Sequence, residues 1–476
     1  MIKSYLLFRE KDFIRNYKKT INDENKIFDL EMEWILEIMD DRELEEILLN
    51  PLTKIEDIKW RQSILKDFIN NDKLALKLKS IADEAIEEEE KVLHSLFSEY
   101  PINRVNRGIL VIEKFLEKLR KIEDELRIRE LKSEGLIRLS KEIAMVLDES
   151  YLKKLKRILT ELKFNEGIFI KGRLGKGNKL NELALVDKKK EDSLMRKIIH
   201  KKEKEFFLVN ERDSGALDTI TLIKNKSLNE IGNVIENACN GIKEFFINLS
   251  FELKFYIGGI KLYESCMENK IDISYGEEGE NFKVKNVKEI VLSLKKDIDV
   301  KGNDLVCNNE ELIIITGANR GGKTIFLKSI GENQILFQSG LITLATEYKS
   351  KVFKNIFTHF KREEDKGLTG GKLEEELKRM RDLMEEIKKD SLVLFNEAFS
   401  STNDREGKVI SDNIINGLIE SKVMVFFVTH NYSFSDELWN LKKEKIKFLR
   451  ASRERTFKLE EGCPLRKSYG EDIWKD

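Results

Sequence analysis

The 476 residues suffice for two large domains or about three average ones, and a chain of that length buries a sizeable core without disulfide or metal staples. Charged residues make up 36% of it, but 86 Lys+Arg and 87 Asp+Glu leave a net charge of -1, which excludes a globally basic nucleic-acid coat and a globally acidic tail but not a local basic patch. Three prolines against abundant Leu, Ile, Glu and Lys predict long helices and few linkers; four scattered cysteines (Cys239, Cys266, Cys307, Cys463) with no C-x-x-C suit a reducing cytosol and argue against a zinc knuckle or a disulfide framework.

The first apolar run, Tyr5-Leu6-Leu7-Phe8, is cut off by Arg9, Glu10, Lys11 and Asp12 and is too short for a signal-peptide core. Later uncharged runs such as Val423 to Val428 are strand-sized, far short of a membrane span. The expectation is a soluble, cytoplasmic protein with no membrane partner. From about residue 28 to 160 the periodicity is helical. Met32, Ile35, Ile38 and Met39, then Ile47 and Leu48, recur near a 3.6 period; Ile112, Phe115, Leu116, Leu119, Ile122 and Leu126 form one apolar stripe on a charged segment. Such stripes are core packing between long helices, and Pro51 and Pro101 fall between them, where helices break.

Near Asn165 the composition changes. Gly167, Gly172, Gly175 and Gly177 lie among Ile168, Phe169, Ile170 and Leu174, a hairpin or loop pattern. A basic run follows, with Lys188, Lys189, Lys190, Arg196, Lys197, Lys201, Lys202 and Lys204 as candidate DNA contacts. Between Tyr151 and Glu205 stand seventeen Lys/Arg and eight Asp/Glu, the one local excess that would welcome a polyanion; a solvated face is the alternative. Helical periodicity resumes from about Ser227 to Met267. The helical half holds only His94 and His200 and no His/Asp metal cluster, which weighs against a nuclease.

From about Phe282 the pattern becomes α/β. Glu311–Ile315, Leu392–Phe395 and Val423–Val428 read as buried strands separated by helices, hence parallel strands with crossovers. Directly after the first comes Gly317-Ala318-Asn319-Arg320-Gly321-Gly322-Lys323-Thr324, a G-x-x-x-x-G-K-[ST] loop between strand and helix. Its glycines let backbone N–H groups turn inward around phosphate oxygens, and the helix N-terminus adds positive potential. Lys323 reaches the β- and γ-phosphates, and the Thr324 hydroxyl ligates Mg²⁺. The second strand ends in Asn396-Glu397: Glu397 would polarise the attacking water, and Asn396, where an Asp usually faces the Mg²⁺ shell, offers an amide oxygen without the charge. The third ends in Thr429-His430, an imidazole placed to sense the γ-phosphate. The catalytic set read from sequence is therefore Lys323, Glu397 and His430, with Thr324 and Asn396 at the metal.

Together these residues resemble the MutS family of DNA mismatch-repair ATPases. The family loop reads G-P-N-M-G-G-K-S/T; its acidic-strand signature is matched by Asn396-Glu397-Ala398-Phe399-Ser400-Ser401-Thr402-Asn403-Asp404-Arg405-Glu406-Gly407, and its A-T-H segment by Val428-Thr429-His430. Phe457–Gly462 and Ser468-Tyr469-Gly470 resemble the closing strand and helix, and Leu49-Asn50-Pro51-Leu52 with Ile55, Ile58 and Arg61-Gln62 resembles the start of the helical core. The resemblance implies a homodimer in which Gly370, Gly371 and Lys372, or Ser400, Ser401, Thr402 and Asn403, approach the partner's nucleotide. It leaves no room ahead of the core for the family's mismatch reader, and F-x-E, the reader's signature, recurs too often (Phe8, Phe97, Phe115, Phe395) to carry meaning.

The expected fold class is α plus α/β: a helical core and lever over 1–281, interrupted by the glycine-rich and basic insertion at 165–210, then a P-loop ATPase domain with a mainly parallel sheet over 282–476. The expected function is an ATP- and Mg²⁺-dependent DNA-binding switch of mismatch repair or recombination-related processing, acting on structured or mismatched DNA. The alternative is a dimeric ATPase switch that grips a protein partner.

Overall fold

The computed structural model describes the chain except residues 1, 11–18, 72, 95–100, 164–169, 175–179, 186–213, 296–297, 363–371, 401, 442–443, 452–453 and 466–476. Its contacts divide it into two compact units that are not consecutive in sequence. One comprises 1–4, 76–131 and 136–251; the other comprises 5–75, 132–135 and 252–476.

The chain opens with α1 (Ile21–Asp29), α2 (Met32–Ile38), α3 (Glu45–Leu49) and α4 (Ile55–Asn70). Thr20 starts α1 with a capping box, its hydroxyl and the Asp23 carboxylate each bonding the other's backbone N–H. Met32, Ile35, Met39, Ile47 and Leu48 are buried as the stripe predicts, and Pro51 lies in the break between α3 and α4. These four helices group with the sheet, although the sequence boundary at 281/282 places them with the helical region.

Helices α5 (Leu74–His94), α6 (Pro101–Arg127), α7 (Glu134–Val146) and α8 (Glu149–Leu162) follow, then a hairpin of β1 (Ile170–Leu174) and β2 (Leu180–Leu185). The described part of the glycine-rich segment, which includes Gly172, is therefore strand, within the hairpin-or-loop reading of its composition; Gly167, Gly175 and Gly177 lie outside the described residues. Pro101 is the first residue of α6, where its missing N–H costs nothing. Ile112, Phe115, Leu119, Ile122 and Leu126 are buried, with Phe115 against Phe246 at 5.2 Å. One buried member of that face is charged: Lys118, whose ammonium lies 2.8 Å from both Glu84 and Glu88. Next comes α9 (Ser214–Glu268), a single 55-residue helix that begins thirteen residues before the expected Ser227.

The remaining strands are β3 (Ser274–Tyr275), β4 (Glu277–Glu278), β5 (Phe282–Val287), β6 (Asn303–Cys307), β7 (Leu312–Gly317), β8 (Ile342–Thr343), β9 (Glu347–Ser350), β10 (Ile356–Phe360), β11 (Leu392–Asn396), β12 (Met424–Val428), β13 (Ile446–Ala451) and β14 (Leu459–Glu461). Among them run α10 (Ile290–Ser293), α11 (Lys323–Ser339), α12 (Lys372–Glu386), α13 (Asp404–Glu420) and α14 (Tyr432–Asn440). The main sheet has the order β10-β11-β12-β7-β13-β14, parallel except for β14. Its central strands are buried throughout, which is why they read as unbroken apolar runs. Leu312, Val393, Val425 and Phe427 share one core with residues of α12, α13 and α14. A smaller four-stranded sheet, β4-β9-β5-β6, joins the same unit.

The N-terminal Tyr5–Phe8 run is a structural tie. Leu6 and Leu7 are fully buried; their N–H groups donate to Glu252, and the Tyr256 hydroxyl donates to Leu6 O at 2.6 Å. Arg61, also buried, donates to Leu7 O and Ser339 O, and burial pulls its guanidinium down to about 10. Gln62 donates to Gly276 O at 3.1 Å. The Arg61-Gln62 pair of the core signature therefore fastens α4 to the end of α11 and to the start of the α/β region.

Candidate active site

The C-terminal ends of the parallel strands lie in one row: Ile315 opposite Val428, and Val428 opposite Asn396. Loops that leave such a row converge where open α/β sheets bind ligands. The loop after β7 is shaped by glycine. Gly317 has φ +112, and a Cβ there would meet Ala451 O at 2.3 Å; Gly322, with φ +89, is the last residue before α11. Both conformations are open to glycine and strained for other residues.

Lys323, the first residue of α11, is buried, and its ammonium donates to Gly317 O at 3.0 Å and Ala318 O at 2.8 Å. Those bonds hold the charge inside the loop, where phosphate oxygens would be stronger acceptors. Burial pulls its pKa down, and the Glu397 carboxylate works against that fall. Thr324 donates its hydroxyl proton to the Asn396 amide oxygen at 3.1 Å. The Thr324 lone pairs stay available to a cation, and Asn396 fixes their direction.

Glu397 leaves β11 with φ +54, and its N–H donates to Val428 O at 2.9 Å. Its carboxylate meets His430 Nε2 at 3.0 Å. That hydrogen bond foremost, then the charges of His430, Lys361 and Lys323, hold the Glu397 pKa below the usual carboxylate range although burial opposes them. The carboxylate is ionised at neutral pH.

The structure thus brings together Gly317–Thr324, Asn396, Glu397 and His430. Ser400 is exposed on the turn after Glu397. Asn403 is the N-cap of α13, its amide oxygen accepting from Glu406 N–H at 3.0 Å, and Thr402 bonds Glu406, so both have local structural work besides any partner contact. Lys372 is the first residue of α12. Gly370, Gly371, Ser401 and the basic run Lys188, Lys189, Lys190, Arg196, Lys197, Lys201, Lys202 and Lys204 lie outside the described residues, as does His200.

Sequence reasoning missed several neighbours. Ala451, ending β13, packs its Cβ position against Gly321, and its carbonyl accepts from Ala318 N–H at 3.4 Å. Phe457, half exposed with φ +60, lies against Gly322 at the loop's edge. Asn303 holds it there, donating to Phe457 O at 3.1 Å and accepting from Leu459 N–H at 2.8 Å. The three are remote in sequence from the loop, and no short-range pattern announces them.

Comparison with known proteins accounts for the two halves separately. A model of the MutS2 N-terminal domain matches residues 53–268, and a model of MutS domain V matches residues 313–472. The chain is thus similar to the MutS2 N-terminal domain in one segment and to MutS domain V in the other. Three relatives are each named endonuclease MutS2. That of Streptococcus mutans is 37% identical over 119 residues, 25% of this chain and 15% of that protein. That of Streptococcus uberis is 29% identical over 209 residues, 43% and 26% of the two chains. That of Aquifex aeolicus is 25% identical over 224 residues, 44% and 28%. The matched segments thus span well under a third of these relatives' own lengths. The match to MutS domain V covers the P-loop and the strands that follow it, and a P-loop ATPase domain of this kind implies a capacity to bind ATP with Mg²⁺. The donor set fits ATP with Mg²⁺, because Mg²⁺ is held mostly by phosphate oxygens and water and takes few ligands from the protein, here the Thr324 hydroxyl with Asn396 behind it. No described helix is long and apolar enough to cross a membrane.

Proposed function

We propose that the chain is a homodimeric, ATP-hydrolysing switch that acts on structured or mismatched DNA in recombination-related or mismatch-repair processing. The Glu397–His430 pair beside Lys323 and Thr324 carries the reading, because it supplies an ionised carboxylate at the place where a water would attack a phosphate held by the loop. Lys323 and the loop amides neutralise phosphate charge; Glu397 orients water; His430 fixes Glu397. Mg²⁺ would add positive charge across the phosphates. Asn396 aligns the Thr324 hydroxyl but brings no carboxylate, so turnover is expected to be slow.

DNA enters the proposal through the family and through the positive excess between Tyr151 and Glu205. ATP- and ADP-bound dimers would differ in their contacts, and α9 would pass that difference on. Strand cutting, which the relatives' name prints, is left out of the proposal because the matched segments span under a third of those relatives. The test is steady-state ATP hydrolysis alone and with linear, mismatched and branched DNA at two salt concentrations. A DNA effect that fades with salt and is flattened by neutralising Lys188–Lys190, Lys201, Lys202 and Lys204 supports the reading. Hydrolysis indifferent to every DNA would favour a protein-directed switch.

A further inference from the structure

We propose that Glu376 is a positioning residue for the catalytic carboxylate: by accepting the Phe399 N–H it holds the 397–399 turn, and with it Glu397, in the geometry that hydrolysis requires. The proposal rests on the reading of Glu397 as the residue that orients water, and it extends the hydrolytic machinery to α12.

The turn is one that a chain does not adopt on its own. Glu397 and Phe399 both stand in the left-handed region, at φ +54 and +59, and both carry a Cβ. Such residues persist where the surroundings over-determine them. Two of the bonds that hold this turn are backbone to backbone, Glu397 N–H to Val428 O at 2.9 Å and Ser400 N–H to Glu397 O at 3.3 Å. The third comes from a side chain: Phe399 N–H donates to Glu376 Oε1 at 2.6 Å. Glu376 is 4% exposed and sits in the second turn of α12. A buried carboxylate on a backbone N–H is a short, strong bond, and the donor is equally costly to leave alone.

His359 of β10 completes the support. Its ring is stacked on Phe399 at 6.2 Å and meets Phe395 edge-on at 6.1 Å. Its Nε2 stands 3.7 Å from Glu376 Oε1, beyond a hydrogen bond. Burial pulls the His359 pKa down, so a neutral ring packs beneath the turn. Phe399 is thus gripped at its N–H by Glu376 and at its ring by His359, and Glu397 two residues earlier inherits the position. Because α12 starts at Lys372, one bond connects the segment expected to approach the partner with the catalytic carboxylate.

The experiment compares full-length wild type with Glu376→Met, Glu376→Asp and Glu376→Gln, using Glu397→Gln as control. Three quantities are read: the Kd for a non-hydrolysable ATP analogue, kcat, and amide hydrogen exchange in a peptide spanning 394–400. Glu376→Met fills the volume without an acceptor, and Glu376→Asp keeps the charge one carbon short. Both are expected to lower kcat by about tenfold to a hundredfold, as a misplaced catalytic group does. Their Kd should stay within about twofold, and the peptide should exchange faster. Glu376→Gln keeps the Oε1 acceptor and should restore kcat to within about threefold of wild type and slow the exchange again. A wild-type kcat in Met and Asp, a proportional loss of binding and turnover, or a Gln variant as impaired as Met would each overturn the proposal. If Met does not fold, Asp decides. If Glu397→Gln turns over like wild type, the hydrolytic reading falls by itself; unchanged exchange at 394–400 in the Met or Asp variant would then still refute the hold on the turn.

Discussion

Glu397 and His430 meet across the ends of two adjacent strands, and their hydrogen bond decides how pH acts on the site. The bond is the largest influence holding the carboxylate's pKa below its ordinary value, while burial alone would raise it. Activity that needs the ionised form is present above that pKa and lost as pH falls through it. In His430→Ala the largest lowering influence is gone while burial and the weaker pull of Lys361 and Lys323 remain, so the acid limb of the kcat–pH profile should move to higher pH. An unmoved limb would show that His430 does not set the Glu397 charge. The same scale explains why Asn396 is not an empty place in the site. Its amide oxygen takes the Thr324 proton at 3.1 Å, preserving the alignment of the hydroxyl while giving up a negative charge.

Helix ends carry the site's second layer. Asn431 follows His430 and caps α14, its amide oxygen accepting from Phe434 N–H at 3.0 Å, while its amide nitrogen donates to Asp404 O at 2.7 Å on the neighbouring α13. Losing a cap of this kind costs about 1 kcal/mol. Asn431→Ala is therefore expected to lower the urea midpoint by that equivalent at unchanged m-value, and no shift would show the cap to be idle. Elements of this region were legible in the sequence in proportion to how completely they are covered. β7, β11 and β12 read as strands because both their faces are buried and their residues are apolar. β10 was missed because Thr358 and His359 interrupt its pattern, although both are buried. β13 was missed because Lys447 and Arg450 alternate with its apolar residues, Lys447 pairing with Glu310 and Glu461. Glu376 carried no signal, since a glutamate in an acidic helix looks solvated until its partner on the 397–399 turn is known.

In the whole molecule, helices from the start of the chain belong to the same compact unit as the ATPase sheet. Composition cannot reveal this; it depends on Arg61 and Gln62 reaching backbone carbonyls far along the chain. The apolar stripe of α6 was legible as core and the later part of α9 as helix, but the continuity of α9 was not, because Gly215 and the β-branched Thr219, Ile220, Thr221 and Ile223 in its first turns are weak helix formers. At 55 residues it extends roughly 80 Å and contributes residues to both compact units. The central claim is that one loop binds nucleotide and one carboxylate turns it over. The most direct measurement takes ATP binding and ATP hydrolysis on the same preparations of wild type, Lys323→Ala and Glu397→Gln. The account predicts that Lys323→Ala loses binding, and that Glu397→Gln binds ATP like wild type while its turnover falls by roughly a hundredfold or more and ATP stays trapped. Equal loss of binding in both variants, or undiminished hydrolysis in Glu397→Gln, would contradict it.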